Sequence, residues 1–514
     1  MTDRIPSALR PEHPIPRSLS QLVEEAGFDA SGLTGDVEVT GVSLSSKDVA
    51  PGDLYAALPG VRHHGASFAA DAAASGAVAV LTDPAGAVLA AESGLPLLVT
   101  PEPRAALGEV AAWVYRTRID PPTIFGVTGT NGKTSVAYLV EAVLRQLGVV
   151  AGLSTTAERR IGDDTIASKL TTPEATEIHA MLARMREADV RAVVLEVSAQ
   201  AVTQHRVDGI VFDVVGFTNL THDHLDDYSS MEKYFEAKRA LFDPDRARRG
   251  VAIVDGEYGR RLADESRIPM ATIGTRDDVE AEWSLTVDDE AEDATSFTLV
   301  APDRRTLSTS VPLLGAFMAS NAALALVMLV EAGFDLDAIA HVLERDGGID
   351  VYIPGRAEKV SGDRGPTVYV DYGHTPDGFT VMLESMRRVA TGRVIMVFGA
   401  DGDRDTTKRE EMGAIAARLA DVVVITDFNP RYEDPATIRR ALIAGATAAV
   451  PDREIHEIAD PKAALRAALD LAAENDIVLY AGPGHEDYHE VAGERIPYSA
   501  RDDARRALQE RGWL

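Results

Sequence analysis

Short apolar runs alternate with longer segments of helical periodicity along almost the whole chain. Runs such as GAVAVLT (76–82), AVVLEV (192–197) and RVIMVFGA (393–400) are largely apolar on both sides of the backbone, as strands buried between two layers are. The segments between them repeat apolar residues at three- and four-residue intervals, which is typical of helices with one buried side. This order predicts an α/β fold built on parallel sheets with helices on both faces.

Two breaks divide this pattern into three domains. A chain of 514 residues is too long for one hydrophobic core, since a domain usually holds about 100–200 residues. The segment DPP (120–122) ends the first series of strands and helices, and a new series begins near IPGRAEKV (353–360). We predict an N-terminal α/β domain over 1–118, a central parallel-sheet domain over 119–350 and a C-terminal Rossmann-like domain over 351–514.

The composition excludes several classes of function. The chain has 51 Lys and Arg against 81 Asp and Glu, a net charge of −30, and no cysteine. Such a surface repels nucleic acid and anionic lipid, and disulfide or thiol chemistry is impossible. The first residues lack a signal-peptide core, and AALALVMLV (322–330) is shorter than the roughly 20 residues that span a bilayer. We expect a cytoplasmic protein that binds no nucleic acid and has no stable membrane association.

The segment GVTGTNGKTS (126–135) predicts a nucleotide site in the central domain. It fits the pattern G-x-x-x-x-G-K-[ST], with Lys133 and Thr134 at the last two positions, between a strand-like run and an amphipathic helix. The glycines let backbone N–H groups turn toward phosphate oxygens. Lys133 can reach the terminal phosphates, and the Thr134 hydroxyl can bind Mg²⁺. This context favours a phosphate-binding loop over an ordinary glycine turn.

Two further strand ends in this domain carry possible metal ligands. Glu196 is predicted to end the strand formed by AVVLEV (192–197), where a glutamate is otherwise often a plain exit residue. The segment FTNLTHDHLDDY (217–228) places several His and Asp side chains after another strand, namely His222, Asp223, His224, Asp226 and Asp227. Oxygen and nitrogen ligands beside a phosphate-binding loop predict a divalent ion near the terminal phosphate. The alternative is a solvated acidic loop.

Three loops of the C-terminal domain predict a pocket for a zwitterion. GADGDRD (399–405), TDFNPRYEDP (426–435) and AGPGHEDY (481–488) each follow a strand and contain Arg, Asn or Glu. Arginine pairs with carboxylates and glutamate with ammonium groups, so together they suit an amino acid. Taken singly, each residue could equally form a surface ion pair.

As an ordered set, several segments resemble the Mur ligases of peptidoglycan synthesis. These are TGTNGKTS, FTNLTHDHLD, YFEAKRALF, PGRAEKV, DYGHTPDG and FGADGDRD. The similarity runs from about Val42 to Leu508 and is nearest to the members that add the third residue of the stem peptide. It implies an ATP-dependent, ADP-forming ligase, with Mg²⁺ as cofactor. The ligase would add an amino acid to UDP-N-acetylmuramoyl-L-alanyl-D-glutamate through an acyl phosphate.

The resemblance implies the nucleotide, metal and catalytic residues. It assigns ATP contacts to the loop residues Gly129, Thr130, Asn131, Gly132, Lys133, Thr134 and Ser135, and to Asn321, Arg356 and Asp371. Lys238 matches a lysine that is N-carboxylated in the family. The implied Mg²⁺ ligands are Thr134, Glu196, His224 and carboxylated Lys238. The implied catalytic set is Lys133, Glu196, His224 and Lys238.

The acceptor contacts follow the family pattern with some departures. The N-terminal domain would bind UDP through Leu44 and Ser46. The muramoyl-dipeptide would contact Thr171, Thr172, Ser198, Gln204 and Arg206. Ser45-Ser46-Lys47 stands where the family usually has Asp-Ser-Arg, Leu170 replaces an Asn, and Ala199 and Gln200 replace Ser and His.

The identity of the third amino acid stays open in the sequence. The implied contacts are Arg404, Asn429, Pro430, Arg431, Gly482 and Glu486. Retained Arg431 favours meso-diaminopimelate, because it can bind a distal carboxylate. Phe428 and Pro483 replace an Asp and a Lys of the diaminopimelate pattern. These replacements favour lysine, ornithine or diaminobutyrate.

Two other functions are weighed against this one. A folylpolyglutamate synthase-like ligase shares the phosphate-binding loop and carboxylated lysine but lacks a UDP-binding N-terminal domain. A non-enzymatic P-loop nucleotide sensor would bind ATP without amino-acid-dependent phosphate release. The expected partners are UDP-N-acetylmuramoyl-dipeptide and a free amino acid, and the expected state is a monomer.

Overall fold

A computed structural model of the chain describes residues 9–223 and 225–514, without the side chains of residues 225 and 226. Three large sheets follow one another along the chain, each flanked by helices. We call them the N-terminal, central and C-terminal sheets. The predicted α/β class is confirmed, whereas the domain boundaries at 118/119 and 350/351 stay predictions.

The N-terminal sheet has five strands in the order β2-β7-β6-β5-β4, all parallel except the edge strand β2. A separate two-residue pair, β1 with β3, lies beside it. The strands are β1 (Arg17–Ser18), β2 (Asp29–Ser31), β3 (Glu38–Val39), β4 (Gly41–Ser43), β5 (Asp53–Ala56), β6 (Ala79–Thr82) and β7 (Leu97–Val99). The helices are α1 (Leu19–Ala26), α2 (Ala69–Ala74), α3 (Pro84–Ala90) and α4 (Pro103–Tyr115).

The central sheet has eleven strands in the order β11-β10-β9-β12-β8-β13-β14-β15-β16-β17-β18. The strands are β8 (Thr123–Thr128), β9 (Ala151–Ser154), β10 (Glu158–Ile161), β11 (Asp164–Ala167), β12 (Ala192–Glu196), β13 (Phe212–Phe217), β14 (Ala247–Ile253), β15 (Met270–Gly274), β16 (Trp283–Glu290), β17 (Thr295–Val300) and β18 (Thr306–Val311). The helices are α5 (Lys133–Gln146), α6 (Ala175–Glu187), α7 (Ala199–Thr203), α8 (Leu225–Tyr228), α9 (Met231–Arg239), α10 (Glu257–Glu265), α11 (Ala316–Glu331) and α12 (Leu336–Asp346).

The C-terminal sheet has six strands in the order β19-β20-β24-β21-β22-β23, and a hairpin of β25 and β26 follows it. The strands are β19 (Glu358–Lys359), β20 (Thr367–Asp371), β21 (Val394–Phe398), β22 (Val422–Ile425), β23 (Glu454–Glu457), β24 (Ile477–Ala481), β25 (Tyr488–Val491) and β26 (Glu494–Pro497). The helices are α13 (Pro376–Val389), α14 (Arg409–Leu419), α15 (Pro435–Ala449), α16 (Pro461–Leu471) and α17 (Ala500–Glu510).

Both ends of the central sheet are antiparallel, which the sequence pattern of buried runs did not predict. In the spatial order β9-β12-β8-β13-β14-β15-β16, neighbouring strands pair in parallel. Strands β10 and β11 at one edge and β17 and β18 at the other pair antiparallel. Along β17, buried and half-buried residues alternate. This is the pattern of a strand with one covered face, and such strands can pair through hairpins.

The strand order brings the predicted chemistry to one edge. Strand β8 lies between β12 and β13 and runs parallel to both. Their carboxyl ends therefore place the loop after Thr128, the side chain of Glu196 and the loop after Phe217 next to one another. In the C-terminal sheet the parallel strands β20, β24, β21 and β22 end at Asp371, Ala481, Phe398 and Ile425. The three amino-acid loops and Asp371 thus share another edge.

The core between these elements is continuous. Helix α11 is apolar almost all round, and its residues from Ala322 to Leu329 are completely buried. They belong to a cluster that reaches from β8 and α5 to β20, α13 and β21. Packing thus joins the central and C-terminal sheets. In the described part of the chain, no helix has the length and apolar character to cross a membrane.

Candidate functional site

The loop after β8 wraps around its own lysine. Lys133 Nζ donates hydrogen bonds to the carbonyl oxygens of Gly129 (3.1 Å) and Thr130 (2.8 Å). Gly129 has φ +144°, and an added Cβ there would lie 1.8 Å from Thr218 Oγ1. Only glycine fits this backbone, because the loop and the segment after β13 touch directly. The geometry is that of a phosphate-binding loop at a helix N-terminus.

Gly132 and Asn321 make the second close approach. Gly132 precedes α5 with φ +88°, and an added Cβ would lie 2.5 Å from Asn321 Oδ1. Asn321 is buried on the apolar helix α11, which places its amide against the loop. The structure therefore brings this predicted nucleotide residue to the loop, although 188 residues separate it from Lys133 in sequence.

Glu196 accepts hydrogen bonds from two threonines beside the phosphate-binding loop. Its Oε2 accepts hydrogen bonds from Thr134 Oγ1 (3.0 Å), from Thr156 Oγ1 (3.1 Å) and from the Thr156 backbone N–H (2.9 Å). Arg356 Nη2 donates to Thr134 Oγ1 at 3.1 Å. Thr134 and Glu196, both predicted as metal ligands, thus lie in contact and are both buried.

Lys238 is a buried lysine at the same loop. Its side chain is 1% exposed, and Nζ donates to the Gly129 carbonyl at 2.7 Å and lies 4.4 Å from the Tyr234 ring centroid. Burial, reinforced by the Lys133 ammonium, lowers the pKa of Lys238 well below its ordinary value. Burial also lowers the pKa of Lys133, against the opposing effect of Glu196. Two lysine amines therefore converge on one loop carbonyl in a space poor in water.

Two residues of the His/Asp segment after β13 form ion pairs with residues that follow β21 in the C-terminal unit. Asp223 Oδ1 lies 3.3 Å from Lys408 Nζ, and His222 Nε2 lies 3.4 Å from Asp405 Oδ2. His224, one of the predicted metal ligands, lies outside the described residues. Within residues 9–223 and 225–514, no three His, Cys, Asp or Glu side chains are grouped so that they could hold a metal ion.

Residues of the C-terminal unit reach the loop directly. Asn131 Nδ2 donates to Asp377 Oδ2 at 3.3 Å. Asp371 accepts from the backbone N–H groups of Ala357 (2.7 Å) and Gly373 (2.6 Å), and it thereby fixes the segment that carries Arg356. The Arg356 guanidinium lies 4.3 Å from the centroid of the Tyr372 ring. Arg356 thus contacts the loop, whereas Asp371 acts on the backbone beside Arg356.

The predicted dipeptide contacts form a connected group next to Glu196. Thr172 Oγ1 donates to the Glu196 carbonyl (2.9 Å) and accepts from the Ser198 N–H (3.0 Å). Thr156 Oγ1 donates to Thr171 Oγ1 at 3.0 Å. Ser198 also caps α7 by accepting from the Ala201 N–H.

Arg206 completes this group from the far end of α7. Its Nη1 donates to the Thr172 carbonyl at 3.4 Å, and Nη2 donates to Gln204 Oε1 at 2.6 Å. Glu174 lies 3.2 Å from Arg206 Nε and 2.5 Å from Arg104 Nη1 on α4. Arg206 is therefore held between the strand ends and the N-terminal unit, and Gln204 is exposed beside it.

The predicted uridine residues lie in a different unit. Leu44 and Ser46 follow β4 at the carboxyl end of the N-terminal sheet, and both are half-buried. Both are therefore partly open to a ligand at that sheet edge.

The C-terminal loops build a pocket around Glu486. Asn429 Nδ2 donates to Glu486 Oε2 at 3.0 Å, and the Tyr372 hydroxyl donates to Glu486 Oε1 at 3.4 Å. Burial raises the pKa of Glu486 to about 7; the hydrogen bond from Asn429 opposes this rise and the Asp401 carboxylate adds to it. Glu486 is thus a half-buried carboxyl group that accepts two side-chain hydrogen bonds.

The other residues predicted to bind the amino acid differ in their contacts and in their exposure. Gly482 has φ +115°, and Phe428 lies 3.6 Å from where its Cβ would be. The Pro430 carbonyl accepts from the Glu433 N–H at 3.0 Å, which closes the turn that contains Arg431. Arg404 is exposed to solvent. The structure therefore gathers the loop residues around Glu486, and among the described contacts none joins the exposed Arg404 to them.

Three family models match successive parts of this chain. They are described as "Mur ligase family, catalytic domain" over residues 38–115, "Mur ligase middle domain" over 127–329 and "Mur ligase, glutamate ligase domain" over 355–484. A UDP-N-acetylmuramyl-tripeptide synthetase from Leifsonia xyli subsp. xyli is 66% identical over 514 residues, which is 100% of both chains. The chain belongs to the Mur ligase family.

Other members of the Mur ligase family match almost as completely. A UDP-N-acetylmuramoyl-L-alanyl-D-glutamate–2,6-diaminopimelate ligase from Streptomyces coelicolor is 44% identical over 98% of this chain and 99% of its own. The solved structure of a protein with that name is 28% identical, with a TM-score of 0.64 over 93% of this chain and 96% of its own. The predicted family and the predicted activity, ATP-dependent amide ligation in peptidoglycan synthesis, are confirmed.

Several residues of this Mur ligase site were not singled out in the sequence. Thr156 bonds Glu196, Asp377 bonds Asn131, and Lys408 pairs with Asp223. Asp377 and Lys408 lie in segments that follow the apolar strands β20 and β21. Their position after a strand end could therefore have marked them as candidate site residues. Thr156 carried no such signal, because threonines at strand ends are common turn residues.

Proposed function

We propose that the chain joins a free amino acid to the D-glutamyl residue of UDP-N-acetylmuramoyl-L-alanyl-D-glutamate, with hydrolysis of ATP to ADP and phosphate. One observation carries this proposal. The Thr156 hydroxyl touches both Thr171 on the dipeptide side and Glu196 beside the phosphate-binding loop, at 3.0 and 3.1 Å. An acceptor carboxylate bound near Thr171 would therefore lie next to a phosphate bound by the loop beside Glu196.

The nucleotide would occupy the loop and its surroundings. The loop residues Gly129 to Ser135 would donate backbone N–H groups to the phosphates, and Lys133 would leave its carbonyl partners to bind the terminal phosphate. Asn321 and Arg356 touch the loop already, and Asp371 fixes the segment of Arg356. Preorganised donors of this kind stabilise the charge that develops during phosphoryl transfer.

The reaction requires an activated carboxyl group. A glutamyl carboxylate oxygen attacks the γ-phosphorus, the bond to the bridging oxygen of ADP breaks, and an acyl phosphate forms. The amine nitrogen then attacks the acyl carbon, loses a proton, and expels inorganic phosphate with the former carboxylate oxygen. Water would compete for the acyl phosphate, so contacts such as Arg356–Thr134 and Asn131–Asp377 would help to close the site.

Mg²⁺ fits the donor set in part. Thr134 and Glu196 supply hard oxygen donors beside the phosphates, as Mg²⁺ prefers. Lys238 as an ammonium group would repel a cation there, and carboxylation of its Nζ would replace that charge with an anion. We propose Thr134, Glu196, His224 and carboxylated Lys238 as the protein ligands. When bound, the ion would neutralise charge on the transferring phosphate.

The acceptor and amino-acid residues follow from the same geometry. Thr171, Thr172, Ser198, Gln204 and Arg206 would bind the muramoyl-dipeptide, with Arg206 facing its carboxylates. Leu44 and Ser46 would bind the uridine end. Arg404, Asn429, Pro430, Arg431, Gly482 and Glu486 would bind the incoming amino acid. Because the reaction consumes ATP, we place it in the cytoplasm.

A reconstitution tests this proposal. The purified chain is given UDP-N-acetylmuramoyl-L-alanyl-D-glutamate, ATP and Mg²⁺ with single amino acids, and phosphate release and product mass are measured. We expect phosphate release only when acceptor and amino acid are both present, with a product heavier by one amino-acid residue. Turnover with a folate and glutamate instead of the muramoyl acceptor would support the folylpolyglutamate alternative and overturn the proposal.

A further inference from the structure

Arg431 is already surrounded by carboxylates. Its Nη2 lies 3.5 Å from Asp401 Oδ1, and its Nε lies 3.6 Å from Glu490 Oε2. Both carboxylates are at most one-third exposed, so solvent screens these pairs only in part. The single positive charge of Arg431 is thus compensated by two negative charges, through contacts longer than a charge-assisted hydrogen bond, so a third carboxylate would add net negative charge to the group.

Backbone hydrogen bonds hold Glu490 in this position. The Arg431 N–H donates to the Glu490 carbonyl at 3.0 Å, and the Ala492 N–H donates to the Arg431 carbonyl at 2.6 Å. The Glu490 N–H donates to Asn429 Oδ1 at 2.9 Å. The loop of Arg431 is thus paired with strand β25, which holds the backbone of Glu490 beside Arg431.

Glu486 experiences the same excess of negative charge. Its raised pKa has burial as the largest cause, and among the charged neighbours Asp401 acts on it more strongly than Arg431 does. Three carboxyl groups, Asp401, Glu486 and Glu490, therefore face one arginine. A cationic ligand group would relieve this imbalance, and an anionic one would increase it.

Among the described residues, no cation other than Arg431 forms an ion pair with Asp401, Glu486 or Glu490. Phe428 is buried, packs beneath Gly482 and meets the His489 ring edge-on at 6.0 Å. Burial lowers the pKa of His489 to about 4, so this imidazole is neutral at pH 7. Arg495 lies over the Tyr488 ring, the Lys462 ammonium lowers the pKa of His489 further, and Arg404 is exposed to solvent.

We propose that the added amino acid is an L-diamino monocarboxylic acid, whose side chain ends in a lone ammonium group, and that meso-diaminopimelate is disfavoured. Glu486 receives the distal ammonium, with Asp401 and Glu490 providing the surrounding negative charge. Arg431 serves as their counter-ion and does not receive a distal carboxylate. This inference rests on the ligase reaction proposed above and specifies its amino-acid substrate.

A substrate comparison tests the inference. Rates are measured with L-lysine, L-ornithine, L-2,4-diaminobutyrate, meso-diaminopimelate and L-norleucine, at fixed UDP-N-acetylmuramoyl-L-alanyl-D-glutamate and ATP. Since a misplaced like charge costs several kcal/mol, the best diamino monocarboxylic acid should exceed meso-diaminopimelate by about 100-fold or more in kcat/KM. Equal or better use of meso-diaminopimelate, or a preference for L-norleucine, overturns the inference and leaves the ligase reaction intact. Absence of turnover with every amino acid contradicts both.

Paired variants locate the cause. In Asp401→Asn/Glu490→Gln, Arg431 regains a free charge, so the preference against meso-diaminopimelate should shrink about tenfold or more. Glu494→Gln removes one negative charge from an exposed position on strand β26 of the same hairpin and should leave the preference unchanged. Thermal unfolding shows whether each variant is folded. A folded double variant with an unchanged preference contradicts the role given to Asp401 and Glu490.

Discussion

Lys408 Nζ and Asp223 Oδ1 lie 3.3 Å apart, and both side chains are buried between the central and C-terminal sheets. Asp223 follows β13, and Lys408 directly precedes α14. Because the Asp223 carboxylate opposes the lowering of the pKa of Lys133 and Lys238 by burial, the pair links the position of the C-terminal unit to the charge at the phosphate-binding loop.

Removing one partner of this pair should cost more than removing both. Lys408→Met removes one partner of a buried ion pair and keeps the other charge buried, a change that costs about 3 kcal/mol or more. Asp223→Asn/Lys408→Met leaves no such charge and should recover part of the melting temperature. Thermal unfolding of the three proteins measures this. A double variant that melts no higher than Lys408→Met would contradict the interpretation.

Lys133→Ala should abolish turnover while the protein stays folded. The ammonium group is the predicted partner of the terminal phosphate, and such contacts contribute about 10²–10³-fold to rates. Lys233→Ala is the matched control, because Lys233 is an exposed lysine on α9. Phosphate release is measured for both, and an active Lys133→Ala enzyme would refute the role of this loop.

Gly129→Ala should prevent nucleotide binding. The new Cβ would lie 1.8 Å from Thr218 Oγ1 in a backbone with φ +144°, so the loop must move. Gly256→Ala is the control, since Gly256 has no atom within 4 Å of an added Cβ and no positive φ. Calorimetric titration with a non-hydrolysable ATP analogue compares them. Equal affinity in both variants would show that the loop tolerates the side chain.

Thr156→Val should separate acceptor binding from nucleotide binding. The change removes the hydroxyl that bonds Thr171 and Glu196 but keeps the backbone N–H bond to Glu196. We expect KM for the UDP-linked acceptor to rise about tenfold, with KM for ATP nearly unchanged. If both constants rose equally, Thr156 would be a general structural residue.

Amino-acid binding should depend on pH through Glu486. Its pKa rises from 4.5 to about 7 in the folded protein, so the carboxyl group is mostly neutral below pH 7 and ionised above it. KM for a substrate with a distal ammonium group should therefore fall as pH rises from 6 to 8. Glu486→Gln should flatten this dependence.

The raised pKa of Glu486 also makes the stability of the fold depend on pH, and a rise in pH decreases this group's contribution. Between pH 4.5 and 7 the folded chain holds a proton on Glu486 that the unfolded chain has lost, so this group's contribution to the unfolding free energy decreases as pH rises. Melting temperatures of the wild type and Glu486→Gln across this range check the sign. A wild type that gains stability relative to the variant as pH rises would contradict it.

Local sequence signals predicted the elements that contain the site. The buried runs that became β8, β12, β13, β20, β21, β22 and β24 were recognisable because parallel strands are apolar on both faces. Strand β17 escaped notice, since its alternating pattern belongs to an antiparallel edge. The apolar run 322–330 of α11 was also visible in the sequence, although only the fold shows that this helix carries Asn321 to the loop.

Contacts between distant segments were beyond sequence patterns. Asp223 and Lys408 are 185 residues apart, and Asn131 and Asp377 are 246 apart. Charge alone gave no reason to pair them. Likewise, the sequence alone suggests that Arg431 is available to bind a ligand carboxylate. Only the structure shows that the β25–β26 hairpin places Glu490 beside it. Family resemblance named candidate residues, but the structure decides which of them neutralise one another.

The fate of the acceptor oxygen tests the central claim most directly. The acceptor is prepared with ¹⁸O in both oxygens of the D-glutamyl side-chain carboxylate, and the released phosphate is examined by mass spectrometry. An acyl phosphate predicts one ¹⁸O atom in each phosphate, because the bond broken in amide formation joins the acyl carbon to a former carboxylate oxygen. Unlabelled phosphate released together with amide product would contradict the account.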